Sequence, residues 1–465
     1  MADKFEKIGD SIIGFLFDGV DDRLAPPVAE AVLKESGLIV VTVPFIHPEC
    51  IDVDDTIRAS FKKTKEWAHS NRESVPEGLV LKAVGQSVTL ANLTSGGFAH
   101  SAGMGASVFQ AGVAILGEPR KILDTYSIEK FTSTIDGLRE FTQFQGFTYS
   151  DAEDSDGDDR FPIRLFQVAP VSWNSGGLEF RIEMHQPWSA QAGNYLHLEV
   201  VAELSTFSSS GVAIMEHFNA QRKIRALLTL ILGTRLPWRS HSLTDKQFSE
   251  GTLSGESLPP TPVKVLLSRT LKEHEEPAVS GARLFNSAVT LETLGAAGLK
   301  TWCDRYDEDE VFHAVAPAVE AIANRNAFVE PSVLMLAGAC ERFGYLLTRK
   351  KSSVAKQFEA CLGASRFEVL EMNASVTEVS KFLARVYNGL KHPDYKLGYP
   401  DSLDIVVAHE VFKLLARSQA LVLIGVKPSV IEEFLRSEGQ TLKRTIGNNA
   451  FPFAGLAEEN SVRQG

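Results

Sequence analysis

The sequence predicts an α+β multidomain protein, in which a β-rich N-terminal domain precedes an all-α helical bundle. Two patterns support this prediction. In the first half, short runs of β-branched and aromatic residues alternate with Gly, Ser, Asn and Asp, which is typical of an antiparallel sheet or sandwich. From about Thr290 onward, apolar residues recur every three or four positions, as they do in helices that pack into a bundle.

The domain boundaries follow from length and local composition. A chain of 465 residues is long for one hydrophobic core, so two or three domains are expected. The segment between Ser249 and Ala282 is rich in Gly, Ser, Pro and Glu, which indicates a join between domains. We therefore expect a β-rich domain at 1–250, a linker region at 251–289, a helical domain at 290–440 and a flexible tail at 441–465.

Individual elements follow from the same patterns. Strands are predicted at Ser11–Phe17, Leu38–Phe45, Leu79–Val84, Ser87–Leu93, Val108–Leu116, Pro162–Val168, Leu178–Met184, Tyr195–Leu204 and Val263–Leu267. Helices are predicted at Asp54–His69, Ala213–Leu232, Leu291–Tyr306, Glu310–Ala323, Pro331–Thr348, Ser352–Cys361, Val376–Lys391, Leu403–Leu423 and Ser429–Ser437.

Composition excludes several classes of protein. The longest apolar runs fall well short of the ~18 to 20 residues that span a bilayer, and the charged N-terminus does not resemble a signal peptide, so we expect a cytoplasmic protein without membrane contact. The four cysteines are widely separated and form no CxxC pair, which argues against a disulfide framework and a zinc site. No metal and no cofactor are expected.

Charge is distributed unevenly. The net charge of -12 disfavours nucleic-acid binding, because phosphate contacts need clustered Lys and Arg. Between Arg342 and Lys396, however, ten Lys or Arg stand against five acidic residues. This basic stretch holds the pattern that carries most of the functional prediction.

That pattern is a helix that carries Arg385 and His392 on one face. Ser375 and Glu378 have the spacing of a capping box, which predicts a helix that begins at Val376, and Pro393 ends it at His392. Apolar residues at helical spacing define one buried stripe, made of Val379, Phe382, Leu383, Val386 and Leu390. At ~100° per residue, Arg385, Asn388 and His392 lie together on the face away from that stripe.

Two interpretations of this face stay open on spacing alone. A solvated helix face explains it, since Arg and His at this separation often occur by accident and other charged residues lie nearby. A phosphodiester-cleaving site also explains it, because a fixed cation beside a group that titrates near neutrality can act without a metal. Gly389 lies mid-helix, where it costs ~1 kcal/mol relative to Ala, and this indicates that something approaches the helix closely.

At these residues the chain resembles HEPN-domain ribonucleases, whose signature is an Arg followed by four to six residues and a His on one helix of an all-α bundle. Six residues separate Arg385 from His392. The segment LAGACERFGYLL at 336–347 is similar to the preceding helix of the family, in which an acidic residue, here Glu341, faces the Arg/His helix. The chain departs from many members at Val386, which follows the Arg where a polar residue is common, and Asn388 is a substitute for that group.

The N-terminal half resembles the corresponding domain of ApeA-type anti-phage proteins, which pair it with a C-terminal HEPN domain. The similarity lies in GDSIIGFLFD at 9–18, SVTLANL at 87–93, GVAILG at 112–117 and TIDGLREFTQFQGF at 134–147, with Phe141 where Trp is expected. The resemblance implies a bacterial defence protein that acts by abortive infection. It also implies that the β-rich domain senses infection through a phage-derived trigger and restrains the nuclease.

The HEPN resemblance further implies metal-independent cleavage of an RNA substrate that leaves a 2′,3′-cyclic phosphate and a 5′-hydroxyl. In this interpretation His392 is the general acid or base, Arg385 holds the phosphate, and Asn388 orients the histidine or the substrate. Lys381, Lys391 and Lys396 are expected to contact RNA, and a homodimer or higher oligomer completes the site. Two alternatives stay open: a non-catalytic module that binds RNA or a nucleotide, and a structural or adaptor dimer.

Overall fold

The computed structural model describes most of the chain. The described residues are 5–18, 26–50, 52–73, 75–101, 103–123, 125–149, 152–153, 159–160, 163–191, 195–249, 258–279, 287–324, 328–372, 374–392, 394 and 398–446.

The secondary structure changes from strands to helices along the chain. The strands are β1 Ser11–Phe17, β2 Val28–Leu33, β3 Ile39–Ile46, β4 Leu79–Ala83, β5 Gln86–Ser101, β6 Met104–Ile115, β7 Ser127–Ile135, β8 Phe147–Tyr149, β9 Ala152–Glu153, β10 Asp159–Arg160, β11 Ile163–Leu165, β12 Val171–Ser175, β13 Leu178–His185, β14 Trp188–Gln191, β15 Tyr195–Leu198, β16 Val201–Ala213, β17 Trp238–Thr244 and β18 Val263–Leu267. The helices are α1 Asp55–Glu73, α2 Leu138–Thr142, α3 Ile214–Leu232, α4 Leu271–His274, α5 Leu291–Tyr306, α6 Asp309–Ala323, α7 Val329–Thr348, α8 Val354–Ala364, α9 Val376–Lys391, α10 Ser402–Ile424 and α11 Pro428–Ile446.

The chain forms two compact units, each built from three segments. We call the first the barrel unit; its segments are Met1–Asp136, Glu203–Asn219 and Pro237–Ala278. The second, the helical unit, comprises Gly137–Ala202, Ala220–Leu236 and Val279–Gly465. Part of the stretch expected to be a linker, 251–289, therefore belongs to the barrel unit, to which it contributes β18 and α4.

The barrel unit is built on a closed antiparallel barrel of six strands. Its strand order is β6-β3-β2-β1-β4-β5, and β5 pairs with β6 to close the ring. The β5–β6 register runs from Thr89 opposite Ile115 to Ser101 opposite Met104. On its other side β6 pairs with β3 along residues 104–111 and with β18 along residues 113–115. Within the barrel unit, the sheet continues from β18 through β17 and β7 to β16, which adds four described strands to the six of the barrel.

Alternation of apolar residues explains why these strands close around one core. Along β3, Ile39, Val41, Val43 and Phe45 are buried while their neighbours are more exposed, which is the period of a strand with one face inside. These side chains share a hydrophobic cluster with Phe109 and other inward residues of the barrel. The predicted combination of a β-rich part and a helical part is confirmed, and the β-rich part is a closed barrel rather than a sandwich.

The helical unit contains the successive helices α5 to α11 and an antiparallel hairpin of β12 and β13. All seven helices overlap segments that the sequence predicts to be helical. The last helix is longer than expected, because Leu442 is buried and continues the apolar spacing of Ile431 and Leu435. The first six residues of the expected tail at 441–465 are therefore helical, and residues 447–465 lie outside the described part of the chain.

A buried arginine links three helices of this unit. Arg417 on α10 is 5% exposed, and its guanidinium donates to the carbonyls of Leu230 and Ile231 at the end of α3, at 2.7 and 2.6 Å. It also pairs with Glu438 on α11 at 2.7 Å and lies over the ring of Phe434. A cation at the C-terminus of a helix satisfies carbonyls that have no partner within the helix.

Gly344 sets the distance between α7 and α8. A Cβ added at this position would overlap the backbone of Gln357 on α8, so only glycine permits the observed approach. Gly338, on the same helix, has open space where a Cβ would lie.

We expect Gly344→Ala to lower the free energy of unfolding by about 1–3 kcal/mol, because α7 and α8 must move apart. The matched variant Gly338→Ala should raise it by up to about 1 kcal/mol through helix propensity. Urea unfolding followed by circular dichroism measures both. A Gly344→Ala protein as stable as Gly338→Ala would show that the two helices are not held at this distance.

Candidate functional site

Helix α9 forms where the sequence predicts it. The Ser375 hydroxyl accepts from the backbone N–H of Glu378, and the Glu378 carboxylate accepts from the Ser375 N–H, so the capping box is complete. The helix ends at Lys391, and His392 has extended backbone geometry. Most of the predicted stripe is fully buried, namely Val379, Phe382, Leu383 and Val386. The helix prediction is confirmed at both ends.

The three predicted catalytic residues lie in the C-terminal half of α9 and at its C-cap. Arg385 and Asn388 are half-buried, whereas His392 is exposed at the C-terminal end of the helix. Among the described residues, no side-chain hydrogen bond involves the ring of His392 or the amide of Asn388. His392 follows Arg385 by seven positions, which corresponds to ~10 Å along a helix axis. Arg385 therefore lies within α9, whereas His392 lies at the C-cap, where the backbone leaves the helix.

Arg385 has an acidic partner that the sequence did not indicate. Its Nη2 donates to Oδ2 of Asp404 at 2.6 Å, and its guanidinium lies 5.6 Å from the ring centre of Phe382. Asp404 lies in the first turn of α10, where its backbone N–H donates to the side chain of the N-cap residue Asp401 at 2.8 Å. The spacing of Asp401 and Asp404 signals a helix start, but it does not reveal contact with α9.

Burial opposes ionisation of the Asp404 carboxyl group, although Asp404 forms an ion pair with Arg385. Its side chain is 10% exposed, and this burial raises the pKa of Asp404 above its ordinary value. The charge of Arg385 lowers that pKa, and the carboxylate of Asp401 raises it again. Burial therefore affects the pKa of Asp404 more than the charge of Arg385 does.

Glu341 contacts α9 through a tyrosine. Glu341 lies on α7, and its carboxylate accepts a hydrogen bond from the Tyr387 hydroxyl at 3.2 Å. The same hydroxyl accepts from the Lys391 ammonium at 3.1 Å. Lys391 also lies 4.9 Å from the centre of the Tyr387 ring. The hydrogen bond to Tyr387 raises the pKa of Lys391, so this expected RNA-binding cation is held by Tyr387 in the described structure.

The other two lysines that we expect to contact RNA are Lys381 and Lys396. Lys381 is exposed on α9, four residues before Arg385. Lys396 lies outside the described residues.

The segment after α9 folds back over Gly389. A Cβ at this position would lie 2.9 Å from Cδ of Pro400 and 3.0 Å from the carbonyl oxygen of Gly398. The close approach that the mid-helix glycine indicates is therefore made by the chain itself. Gly389 is buried under this segment and does not form an open surface.

A second polar network, which sequence reasoning missed, joins α7 to α10. Ser332 and His409 are hydrogen-bonded at 3.0 Å through Oγ and Nε2, and His409 contacts Glu410 at 3.0 Å through Nδ1. The hydrogen bond to His409 lowers the pKa of Glu410. The order serine, histidine and carboxylate is that of a hydrolase triad, but the serine is 4% exposed within a helix. Its role in this position is to hold the two helices together.

Searches for metal sites and membrane spans give no candidates in the described part of the chain. No group of three or more His, Cys, Asp or Glu side chains there is arranged to hold a metal ion. Within the same residues, every helix is too short or too polar to cross a membrane.

Comparisons with other proteins do not identify a family. The chain matches no protein-family model, no curated protein and no solved structure. The residues of α9 and their surroundings are therefore the basis for a functional proposal.

Asp404→Asn tests the balance between burial and the charge of Arg385. Because the pKa of Asp404 is raised in the folded protein, the native state binds this proton more tightly than the unfolded chain does. The resulting stability is fully present below about pH 4 and is lost as the pH rises through the raised pKa. Relative to Asp404→Asn, the wild type should lose stability as the pH rises from about 4 through the raised pKa of Asp404, and urea unfolding at a series of pH values measures this loss. A wild-type advantage that grows with pH would show instead that the ion pair outweighs burial.

Proposed function

We propose that the helical unit is a HEPN-type endoribonuclease that cleaves RNA without a metal ion. The observation that supports this best is that the half-buried Arg385 and Asn388 lie on α9, a helix fixed by its capping box, and that the exposed His392 is the C-cap of the same helix. A cation and an imidazole on a rigid element are the groups that phosphodiester cleavage by the ribose 2′-hydroxyl requires.

In the proposed reaction, the 2′-hydroxyl loses its proton to a base and attacks the adjacent phosphorus. The bond to the 5′-oxygen of the next nucleotide breaks, and that oxygen takes a proton from an acid, which leaves a 2′,3′-cyclic phosphate and a 5′-hydroxyl. His392 is the base or the acid, since an imidazole exchanges protons near neutral pH. Asn388, one turn before it, orients the histidine or the substrate.

Arg385 stabilises the negative charge that develops on the phosphate oxygens. Its planar fork of donors suits two oxygens at once, and in this proposal a phosphate takes the place of Asp404. In the absence of RNA, Asp404 keeps the guanidinium oriented beside the face that carries Asn388.

A second copy of the chain completes the site in this proposal. One histidine does not readily serve as base and acid on opposite sides of the phosphorus, so the facing helix supplies the other. Exposed apolar side chains on the segments beside Arg385 support such an interface: Tyr399 is 63% exposed, Leu403 57% and Val406 38%. Leu403 and Val406 share one face of α10 and flank Asp404 in sequence.

The proposed biological role is bacterial anti-phage defence by abortive infection in the cytoplasm. The barrel unit would respond to a phage-derived trigger, and the released nuclease would stop growth by cutting RNA.

One observation favours a second candidate function. Arg385 is paired with Asp404 of the same chain, which is what a structural arginine would do. The alternative is therefore a non-catalytic helical module, either a dimeric adaptor or a protein that binds RNA or a nucleotide and leaves it intact.

Arg385→Ala and His392→Ala separate these candidates. Under the nuclease proposal each variant lowers RNA cleavage at least about 100-fold and relieves growth arrest on overproduction. Matched controls replace exposed residues of the same type in the same unit, as Arg436→Ala and His313→Ala, and should cleave like the wild type. RNA-end sequencing after induction measures cleavage, and an in vitro assay with EDTA tests the need for a metal. Cleavage that requires a metal, or that survives His392→Ala, would refute the mechanism.

Leu403→Asp and Val406→Asp test the composite site. Because the introduced carboxylates would have to be buried in the proposed interface, we expect a monomer that retains every catalytic residue and has lost cleavage. Leu347→Asp, at an exposed position on α7, is the control and should leave the oligomer unchanged. Light scattering gives the mass of each variant. A monomer that cleaves RNA as fast as the wild type would exclude the composite site.

A further inference from the structure

A polar cleft lies in the barrel unit, beside the helix that follows β3. Its volume is about 860 Å³, within the range of pockets that hold small ligands. One wall is α1, which contributes four basic side chains and one carboxylate, and Glu49 lies opposite on the turn after β3. The α1 residues are Arg58, Lys62, Lys65, Glu66 and His69. All of these residues belong to the barrel unit.

The α1 wall is a stripe of cationic side chains that ends in an imidazole. Positions 58, 62, 65 and 69 are spaced by four, three and four residues, so they share one helix face along ~16 Å. A cationic stripe of this length on one wall of a cleft attracts an anion such as phosphate.

The cations of the stripe differ in how closely they contact acidic partners. Lys65 pairs with Glu49 at 2.9 Å, and this hydrogen bond is the main reason that the pKa of Glu49 falls to about 2. Lys62 lies 3.9 Å from Glu66 on the exposed surface. Arg58 lies 3.5 Å from Asp55 through Nη1 and donates from Nη2 to the carbonyl of Val53 at 3.3 Å. Lys62 and Arg58 therefore keep donors that a phosphate can use.

Ring faces lie at the His69 end of the stripe. His69 is exposed, and its ring lies 5.5 Å from that of Phe45 and 5.2 Å from that of Phe98. Next to them, His47 stacks on the exposed ring of His100 at 4.7 Å. His47 is 8% exposed, and its Nε2 is a buried polar atom with no hydrogen-bond partner among the described residues. His47 does not line the cleft, and His69 is the aromatic ring among the residues that do.

We propose that this cleft binds a nucleotide, with its phosphate on Arg58 and Lys62 and its base against His69. The cations alone would bind any phosphate, and the ring alone would bind any flat molecule. A nucleotide carries both groups in one molecule, and stacking on a ring accepts any base. The inference concerns the barrel unit and holds whether or not α9 cleaves RNA.

Binding to the full-length protein is measured by isothermal titration calorimetry with three probes: AMP, adenosine and inorganic phosphate. AMP should bind at least about tenfold more tightly than either of the others, because only AMP fills both parts of the cleft. Raising the salt concentration should weaken AMP binding, since the phosphate contacts are solvent-exposed.

Variants locate the site. Lys62→Ala should weaken AMP binding about tenfold, and the neighbouring Lys63→Ala, which changes an exposed lysine that does not line the cleft, should change it less than about twofold. His69→Ala should weaken AMP binding about five- to tenfold, while His69→Tyr, which keeps a ring, should retain it. Thermal unfolding of each variant without ligand shows whether the barrel is intact.

Three results would overturn the proposal: no AMP binding at about 1 mM, phosphate or adenosine binding as tightly as AMP, or equal losses in Lys62→Ala and Lys63→Ala. The first excludes a nucleotide site, the second excludes a site for both groups, and the third places binding elsewhere. If His69→Tyr folds but loses binding as His69→Ala does, the ring does not carry the base.

Discussion

The helical unit depends on the burial of one charge. Arg417 is almost inaccessible to water, and a buried guanidinium is tolerated only when its donors are satisfied. Its partners are the last carbonyls of α3 and Glu438 of α11, so α3, α10 and α11 must meet at this point. The consequence extends along α10. Asp404 lies thirteen residues earlier on the same helix, ~20 Å away, and the position of this partner of Arg385 follows from where α10 is held.

Helix α9 is held by its neighbours on both sides of its polar face. On one side Asp404 of α10 binds Arg385, and on the other Glu341 of α7 binds Tyr387, which in turn accepts from Lys391. These contacts leave the end of the helix, at His392, as the most exposed part of the predicted site. The arrangement combines a positioned cation, Arg385, with an accessible imidazole, His392. These are the two groups on which the proposed nuclease mechanism depends. The arrangement also explains why the cation alone would be consistent with a purely structural role.

What the sequence could predict was local. The start and end of α9 follow from Ser375, Glu378 and Pro393, which act within a few residues, and the buried stripe follows from spacing alone. Spacing along the chain does not reveal contacts between elements: the pairing of Arg385 with Asp404 depends on how α10 docks against α9.

Closure of the barrel was likewise not predictable from local sequence, because the second half of β5 is polar and its strand geometry comes from pairing with β6. The strands β2, β7, β12 and β17 were also missed, since their runs lack a strong signal without their neighbours.

The close contact between Gly389 and residues 398–400 should cause these positions to change together in evolution. Any side chain at 389 needs the space that Pro400 and the Gly398 carbonyl now occupy. In related chains, therefore, a larger residue at 389 should occur together with a changed or shortened segment at 398–400, and a glycine with a segment that folds back as it does here. Covariation of these positions would reveal the close approach without any structure.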